Sequence, residues 1–427
     1  MKVSRQRSDA LLFAILIFCV FSFKIIVLGV NESGVRVDDP IVLAAFLVLL
    51  FRGDLLHIKR SKPFNLYLVF VAVSLASTAW SAWNGRVDWL YSTLFVVRLV
   101  QYQVFYYIGY AIARADFDFA RVLKIYLATL CVIVPLQSLH IVPVPNAFSA
   151  ERASGNTNGP YEMAVVAAFL LCYLGFKNKE RLSGAAAVVL MVWTAARSTY
   201  AGAAISLAKI AVRQSRPMKI KFALAAGYGI LIVALLWTLG FQFRPGSGSG
   251  NGFLERLSSS TSVGTVSDAI AVYNASPSYQ NSEQYSNGAF LYAIASATQN
   301  QGDTSGLMRI FRWTALIKSA FARPDTAIIG LGPSFGTSAV DGYYVRVFVE
   351  TGIVGLVVFL WFLYSFLSAR GGSPWQFREY VFILAVTGLF IDIFTSYKGM
   401  LLLWVWHGMN EYQRTQNIDH TLVAKAN

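Results

Sequence analysis

Tyr343-Tyr-Val-Arg-Val-Phe-Val-Glu-Thr-Gly-Ile-Val-Gly-Leu-Val-Val-Phe-Leu-Trp-Phe-Leu-Tyr-Ser-Phe-Leu367 decides how this chain is read. Only Arg346 and Glu350 interrupt its apolar character, and about 25 helical residues suffice to cross roughly 30 Å of hydrocarbon. Runs of the same kind recur outward from it. Tyr380–Thr395 and Gly399–His407 follow it; Ala10–Val30, Pro40–Phe51, Phe64–Trp83, Trp89–Ala113, Val122–Val142, Pro160–Phe176, Gly184–Ala196, Thr199–Val212 and Phe222–Phe241 precede it. The chain is 56% hydrophobic and only 14% charged, which points to a core that is itself the membrane span. The expected fold is an all-α polytopic membrane protein with about 12 transmembrane helices, some of them short or broken.

The net charge of +14 first suggests nucleic acid. The basic residues, however, sit singly or in short clusters between apolar runs, as topology determinants do, and nucleic-acid binding is set aside. The N-terminus, Arg52–Lys62, Arg114–Lys124, Lys177–Arg181, Lys209–Lys221, Arg370–Arg378 and the tail hold most of the lysines and arginines. These are alternate connections, so both termini are expected in the cytoplasm. Met1–Arg7 followed by Leu11–Phe23 resembles a signal peptide, but no small-residue cleavage site follows Lys24 and Ile25, so an uncleaved first span is expected. Cys19, Cys131 and Cys172 all lie in apolar runs and suggest neither disulfides nor a metal knuckle.

Two segments depart from the pattern. Gly184–Val212 is too short for two full spans and breaks at Ala195-Ala-Arg197-Ser-Thr199, which reads as two short helices meeting at Arg197. The second is a polar interruption that divides the chain into an N-terminal bundle of about nine spans (1–241), an outward loop (242–340), and about three C-terminal spans with a tail (341–427). The loop opens with Ser/Gly-rich sequence, including Gly246-Ser-Gly-Ser-Gly-Asn-Gly252, expected to be flexible. Between 306 and 322, Leu307, Ile310, Phe311, Ala315, Leu316 and Ser319 repeat at helical steps, predicting a helix on the outer surface.

Basic residues also occur where the topology rule does not place them: Lys24, Arg36, Arg86, Arg98, Arg152, Arg197, Arg244, Arg256, Arg309, Arg312, Lys318, Arg323, Arg346 and Lys398. Snorkelling to headgroups accounts for Arg36, Arg86, Arg244 and Arg256. Arg152, Arg197, Arg309 and Arg312 sit in glycine-bearing, polar or helix-breaking contexts. A guanidinium is a planar fork of donors that never loses its charge, and several converging at an outer surface suit a phosphate or pyrophosphate. Asp341 follows Gly330-Leu-Gly-Pro-Ser-Phe-Gly336 and opens the Tyr343–Leu367 run, either as a helix cap or as a base for a hydroxyl nucleophile. Glu350, deeper in that run, reads as structural. In Arg152-Ala-Ser-Gly-Asn-Thr-Asn-Gly-Pro160-Tyr161-Glu162, proline enters a helix whose positive end faces outward, an anion site with Glu162 either a second carboxylate or a helix-dipole residue.

No GxxxxGK[ST], HExxH, CxxC or DxD occurs, and His57, His140, His407 and His420 are scattered. Neither ATP coupling nor a bound metal is suggested. A reaction at the outer face would have to use an already activated substrate.

Arg309, Trp313, Pro324, Gly330, Gly332, Asp341, Glu350, Gly352 and Gly355 are similar, in order and spacing, to a pattern in the bacterial O-antigen polymerase (Wzy-type) and O-antigen ligase superfamily. Ligases carry a His-Asn pair where this chain has Asp341-Gly342, so the resemblance favours the polymerase branch. It implies an inner-membrane glycosyltransferase, without metal or cofactor, that joins undecaprenyl-pyrophosphate-linked repeat units into O-antigen, capsule or exopolysaccharide at the periplasmic face. It further implies Asp341 as base, Arg309 and Arg197 at the donor pyrophosphate, and Arg152, Arg312, Tyr161, Glu162 and Tyr344 as substrate-binding. The flexible loop becomes a lid with inversion in one step. The implied partners are donor and acceptor glycolipids, membrane lipids and a chain-length regulator. A ligase-like transferase, a lipid-linked sugar transporter or flippase, and a non-catalytic assembly partner are the competing readings.

Overall fold

The computed structural model describes residues 2–23, 26–28, 35–58, 60–143, 154–157, 159–194, 196–214, 274, 276–289, 304–337, 340–368 and 373–426. The Phe222–Phe241 span, the Gly246–Gly252 run and Arg152 lie outside them, as does the side chain of Arg197.

The described chain is helical apart from one short antiparallel pair, Ile26–Leu28 with Val35–Arg36. The pair leaves the all-α class standing and follows a first helix shorter than the expected span. The first helix, Lys2–Phe21, stops well before Val30. Its last carbonyls are taken by side chains from elsewhere: Asn156 Nδ2 donates to Val20, Phe21 and Ser22, and Lys398 Nζ donates to Val20 and Ser22 at 2.8 Å. Satisfied in this way, the helix end needs no further turn.

Among the described residues, four helices are long and apolar enough to cross a membrane: Lys62–Trp83, Phe119–Ser138, Pro160–Lys177 and Tyr343–Leu367. Tyr343–Leu367 shows why this marks a membrane protein. Phe359, Phe362, Leu363 and Phe366 are buried, while Ile353, Val354, Val357, Leu360, Trp361 and Tyr364 are exposed on the same helix. A helix apolar on both faces, one of them uncovered, is unfavourable in water and matched to lipid.

Other helices are shorter or carry more polar residues, including Asp38–Phe51, Trp89–Arg114, Arg181–Trp193, Arg197–Gln214, Trp375–Thr387 and Tyr397–Ala426. The break in the Gly184–Val212 region falls at 194–196, between Arg181–Trp193 and Arg197–Gln214. A close crossing joins Tyr397–Ala426 to Trp89–Arg114. A Cβ on Gly109 would strike the Val405 carbonyl oxygen, and one on Gly408 the Tyr106 carbonyl oxygen. Glycine at both positions lets the two backbones touch, the form of helix packing available where no hydrophobic force drives association. Around this crossing, Phe64, Tyr67, Tyr106 and Phe362 surround Trp404.

The polar stretch before Asp341 packs around a second core. Helix Thr304–Phe321 buries Phe311, Ala315, Leu316 and Ala320 against Val87, Tyr285, Leu331, Phe335, Val340 and Val349. The segment 276–289, expected to be part of a mobile cover, contributes to it. Tyr279 N donates to Ser319 Oγ at 2.7 Å, Ser282 N to the Arg86 carbonyl at 2.9 Å, and Lys318 Nζ to the Ser276 carbonyl at 2.8 Å. Ser/Asn-rich composition predicted mobility, but Tyr279 and Tyr285 supply apolar surface enough to dock this part.

Candidate active site

The site is organised around a break in a helix. Gly352 has φ 67° and ψ −171° within Tyr343–Leu367, so the helix is interrupted there. The interruption leaves backbone carbonyls without intrahelical partners. Leu331 N donates to the Val349 carbonyl at 2.8 Å, Gly332 N to the Glu350 carbonyl at 3.0 Å, and Ser77 Oγ to the same Glu350 oxygen at 2.6 Å. A Cβ on Gly330 would strike the Glu350 backbone, and one on Gly352 the Ile328 carbonyl. Thus Gly-x-Gly at 330–332 and Glu-x-Gly at 350–352 are two halves of one backbone crossing. A Cβ on Gly336 would lie 3.6 Å from Glu350 Oε1, so the Glu350 carboxylate packs against the 332–337 turn.

Helix Pro324–Ile329 delivers the chain to this crossing and is itself anchored. Asp325 accepts from Arg86 at 2.8 Å, Trp80 Nε1 at 3.2 Å and Arg323 at 3.0 Å. The Arg86 hydrogen bond leads in holding its carboxyl down to about 2. Trp80, Trp83 and Trp89 are exposed around this turn, an aromatic group of the kind found at a membrane–water interface.

Above the crossing the charges converge. Arg312 Nη1 lies 3.2 Å and Arg309 Nε 3.8 Å from the same oxygen, Oδ2 of Asp341. Helix Thr304–Phe321 presents both arginines from one face, three residues apart. Asp341 is 30% exposed and the two arginines 27% and 26%, so the triad is open to a ligand. Partial burial pushes the Asp341 carboxyl up, against the opposing pull of Arg309; Asp392 pushes it up further and Arg312 pulls it down. Asp341 has φ 59°, a left-handed conformation that aspartate and asparagine tolerate better than most residues.

Asp341 does not cap the helix. The N-cap is Gly342, without a side-chain cap bond. The neighbouring amides go to Asp392 instead, whose carboxylate accepts from Val340 N at 2.8 Å and Gly342 N at 3.4 Å. Asp392 also pairs with Arg346 Nη2 at 3.0 Å, and Arg346 reaches Glu350 at 3.5 Å and the Thr337 carbonyl at 3.0 Å. Trp313 Nε1 donates to the Val340 carbonyl at 3.0 Å and its ring packs on Gly342. Sequence reasoning missed Asp392 altogether and saw Arg346 only as one misplaced cation. The signal for Asp392 was a carboxylate inside the Tyr380–Thr395 apolar run, with no mark of its partner Arg346.

The other candidates are elsewhere. Glu162 Oε1 accepts from Ser396 Oγ at 2.7 Å and Lys398 N at 2.8 Å, so it caps the N-terminus of Tyr397–Ala426. Tyr161 packs against the main core, and Tyr344 donates to the Ala385 carbonyl at 2.8 Å. Those contacts fix helices. Arg197 begins a helix, and the reading of Arg152 lies outside the described residues. Among the described residues no group of three or more His, Cys, Asp or Glu is placed to hold a metal. Compared with models of protein families and with curated proteins, the chain matches none.

Proposed function

We propose that this protein is an integral-membrane glycosyltransferase that polymerises undecaprenyl-pyrophosphate-linked oligosaccharide repeat units at the periplasmic face of a bacterial inner membrane. The single observation that carries the reading is the convergence of Arg309 and Arg312 on one oxygen of a partly exposed Asp341, beside a helix break. The about 12 spans, the large outer loop and the cytoplasmic termini belong to the same proposal and rest on the positions of the apolar and basic runs.

In this reading the donor diphosphate takes Arg309 and Arg312 from Asp341. The acceptor hydroxyl attacks the anomeric carbon, its proton passes to the Asp341 carboxylate, and the bond to the diphosphate oxygen breaks with the electron pair leaving on that oxygen. Charge grows on the leaving group as the bond breaks, so the guanidiniums bind the transition state more strongly than the ground state. Losing its two cations raises the affinity of Asp341 for a proton when the base is needed. Arg152 and Arg197 join the diphosphate site on the strength of the family resemblance.

The test is to incubate purified protein with a lipid-linked repeat unit, with no nucleotide added. A ladder of products supports polymerisation. A single adduct on another acceptor marks a ligase, and redistribution across vesicles without new bonds marks a transporter; either result overturns the proposal.

A further inference from the structure

Tyr285 is the feature of the site that the proposed chemistry leaves unused. It is 1% exposed, stacked near Phe335 at a centroid distance of 6.1 Å and edge-on to Tyr279 at 5.7 Å. Its hydroxyl is buried and has no hydrogen-bond partner among the described residues. Its ring belongs to one buried cluster with Phe311, between Arg309 and Arg312 on their helix, and with Val340, next to Asp341. A buried phenol without a partner is costly, and phenylalanine would keep both ring contacts without that cost. The hydroxyl is therefore available to a ligand that enters.

The placement of Tyr285 is not incidental. The 276–289 segment is held to helix Thr304–Phe321 through Ser319 and Lys318, and to the turn after Lys62–Trp83 through the Arg86 carbonyl. The same helix carries Arg309 and Arg312, so the phenol and the two guanidiniums are mounted on one body. Arg309 Nε is likewise buried without a hydrogen-bond partner, its nearest anion being Asp341 at the longer distance of 3.8 Å. Two unmet donors, one neutral and one charged, thus lie among the residues that carry the triad.

We infer that Tyr285 is a substrate-binding residue, donating its phenolic hydrogen to a phosphate oxygen of the lipid diphosphate held by Arg309 and Arg312. The inference rests on the proposed glycosyl transfer and assigns part of its donor site to the loop. The neighbouring cations favour an anionic oxygen as the acceptor of this hydrogen bond. The 276–289 segment then closes the donor site from above, contributing a donor whose charge does not change.

The test compares wild type, Tyr285→Phe and Tyr279→Phe in nanodiscs. Binding of undecaprenyl diphosphate is measured by calorimetry, polymerisation by KM and kcat, and folding by the thermal midpoint. Tyr285→Phe is expected to weaken diphosphate-lipid binding by about tenfold, the worth of one hydrogen bond to a charged group, and to raise KM, with the thermal midpoint unchanged or higher. Tyr279→Phe is expected to bind as wild type does. Unchanged affinity and KM in Tyr285→Phe would overturn the inference, as would an equal loss in Tyr279→Phe, which would trace the effect to loop docking. Wild-type protein that neither binds the diphosphate lipid nor makes polymer would instead overturn the proposed function.

Discussion

Two clusters of arginine and aspartate hold this molecule, and they are built to opposite ends. At the end bearing the N-terminus, Arg52 bridges Asp9 at 2.8 Å and Asp54 at 3.0 Å, Arg114 reaches the same carboxylates at 2.9 and 3.5 Å, and Arg5 adds a contact to Asp54 at 3.2 Å. The side chains of Asp9 and Asp54 are 6% and 2% exposed. At the other end Asp341 is 30% exposed, and both of its arginines approach a single oxygen. A carboxylate bridged by several cations and shut from water fixes helices. A half-open carboxylate can exchange its partners for a ligand at little cost.

The comparison breaks first on activity. Asp341→Asn and Arg309→Ala are each expected to lower polymer formation by on the order of 10²- to 10⁴-fold, measured as initial rates on a lipid-linked repeat unit. Retained rates would show that the open triad is merely structural.

The next largest effect belongs to the closed cluster. The double variant Asp9→Ala/Asp54→Ala strands the largely buried Arg52 and Arg114 without a carboxylate and is expected to cost roughly 3–5 kcal/mol of stability, read by denaturation in detergent. The fraction that remains folded keeps its activity.

Smaller is the cost at the backbone crossing. Gly352→Ala forces a Cβ onto the Ile328 carbonyl and a side chain into φ 67°, for a loss of about 1–3 kcal/mol. Because that crossing supports the 330–337 turn below Asp341, kcat falls with it.

The smallest effect sharpens the contrast by its sign. Burial holds the Asp341 carboxyl above its ordinary range, so the native state binds this proton more readily than the unfolded chain. Stability is therefore lost as pH rises from the unfolded value through the folded one, and Asp341→Asn is expected to leave stability at neutral pH unchanged or slightly raised. In kcat/KM against pH, the acid limb should lie above the usual carboxylate value of about 3.9. Asp325 runs the other way. Its depressed value of about 2 means stability present at neutral pH and lost as pH falls toward that value.

Parts of the site were legible because they are local. Arg309 and Arg312 share one helical face, and glycines at 330, 332 and 352 advertise unusual backbone. Other parts were not, because they are made by contacts remote in sequence. Nothing in the spacing of Glu162 announces that it caps a helix beginning at Tyr397, and Tyr285 sits in a stretch whose composition predicted mobility. The two-residue reading of Asp341, as cap or base, was divided by a third residue: Asp392 takes the amides, which leaves Asp341 to the arginines.

The sequence by itself determined the class of the molecule. Apolar runs as long as a bilayer is thick admit helices, because backbone groups in hydrocarbon must bond within their own segment. It also determined which short motifs bend the chain, since glycine alone takes those angles without strain. Only the tertiary structure decided which carboxylate stands partly open between two arginines and which holds a helix end. That choice depends on partners brought from different helices, and the packing of those helices turns on contacts such as Gly109 with Val405, which no local pattern encodes.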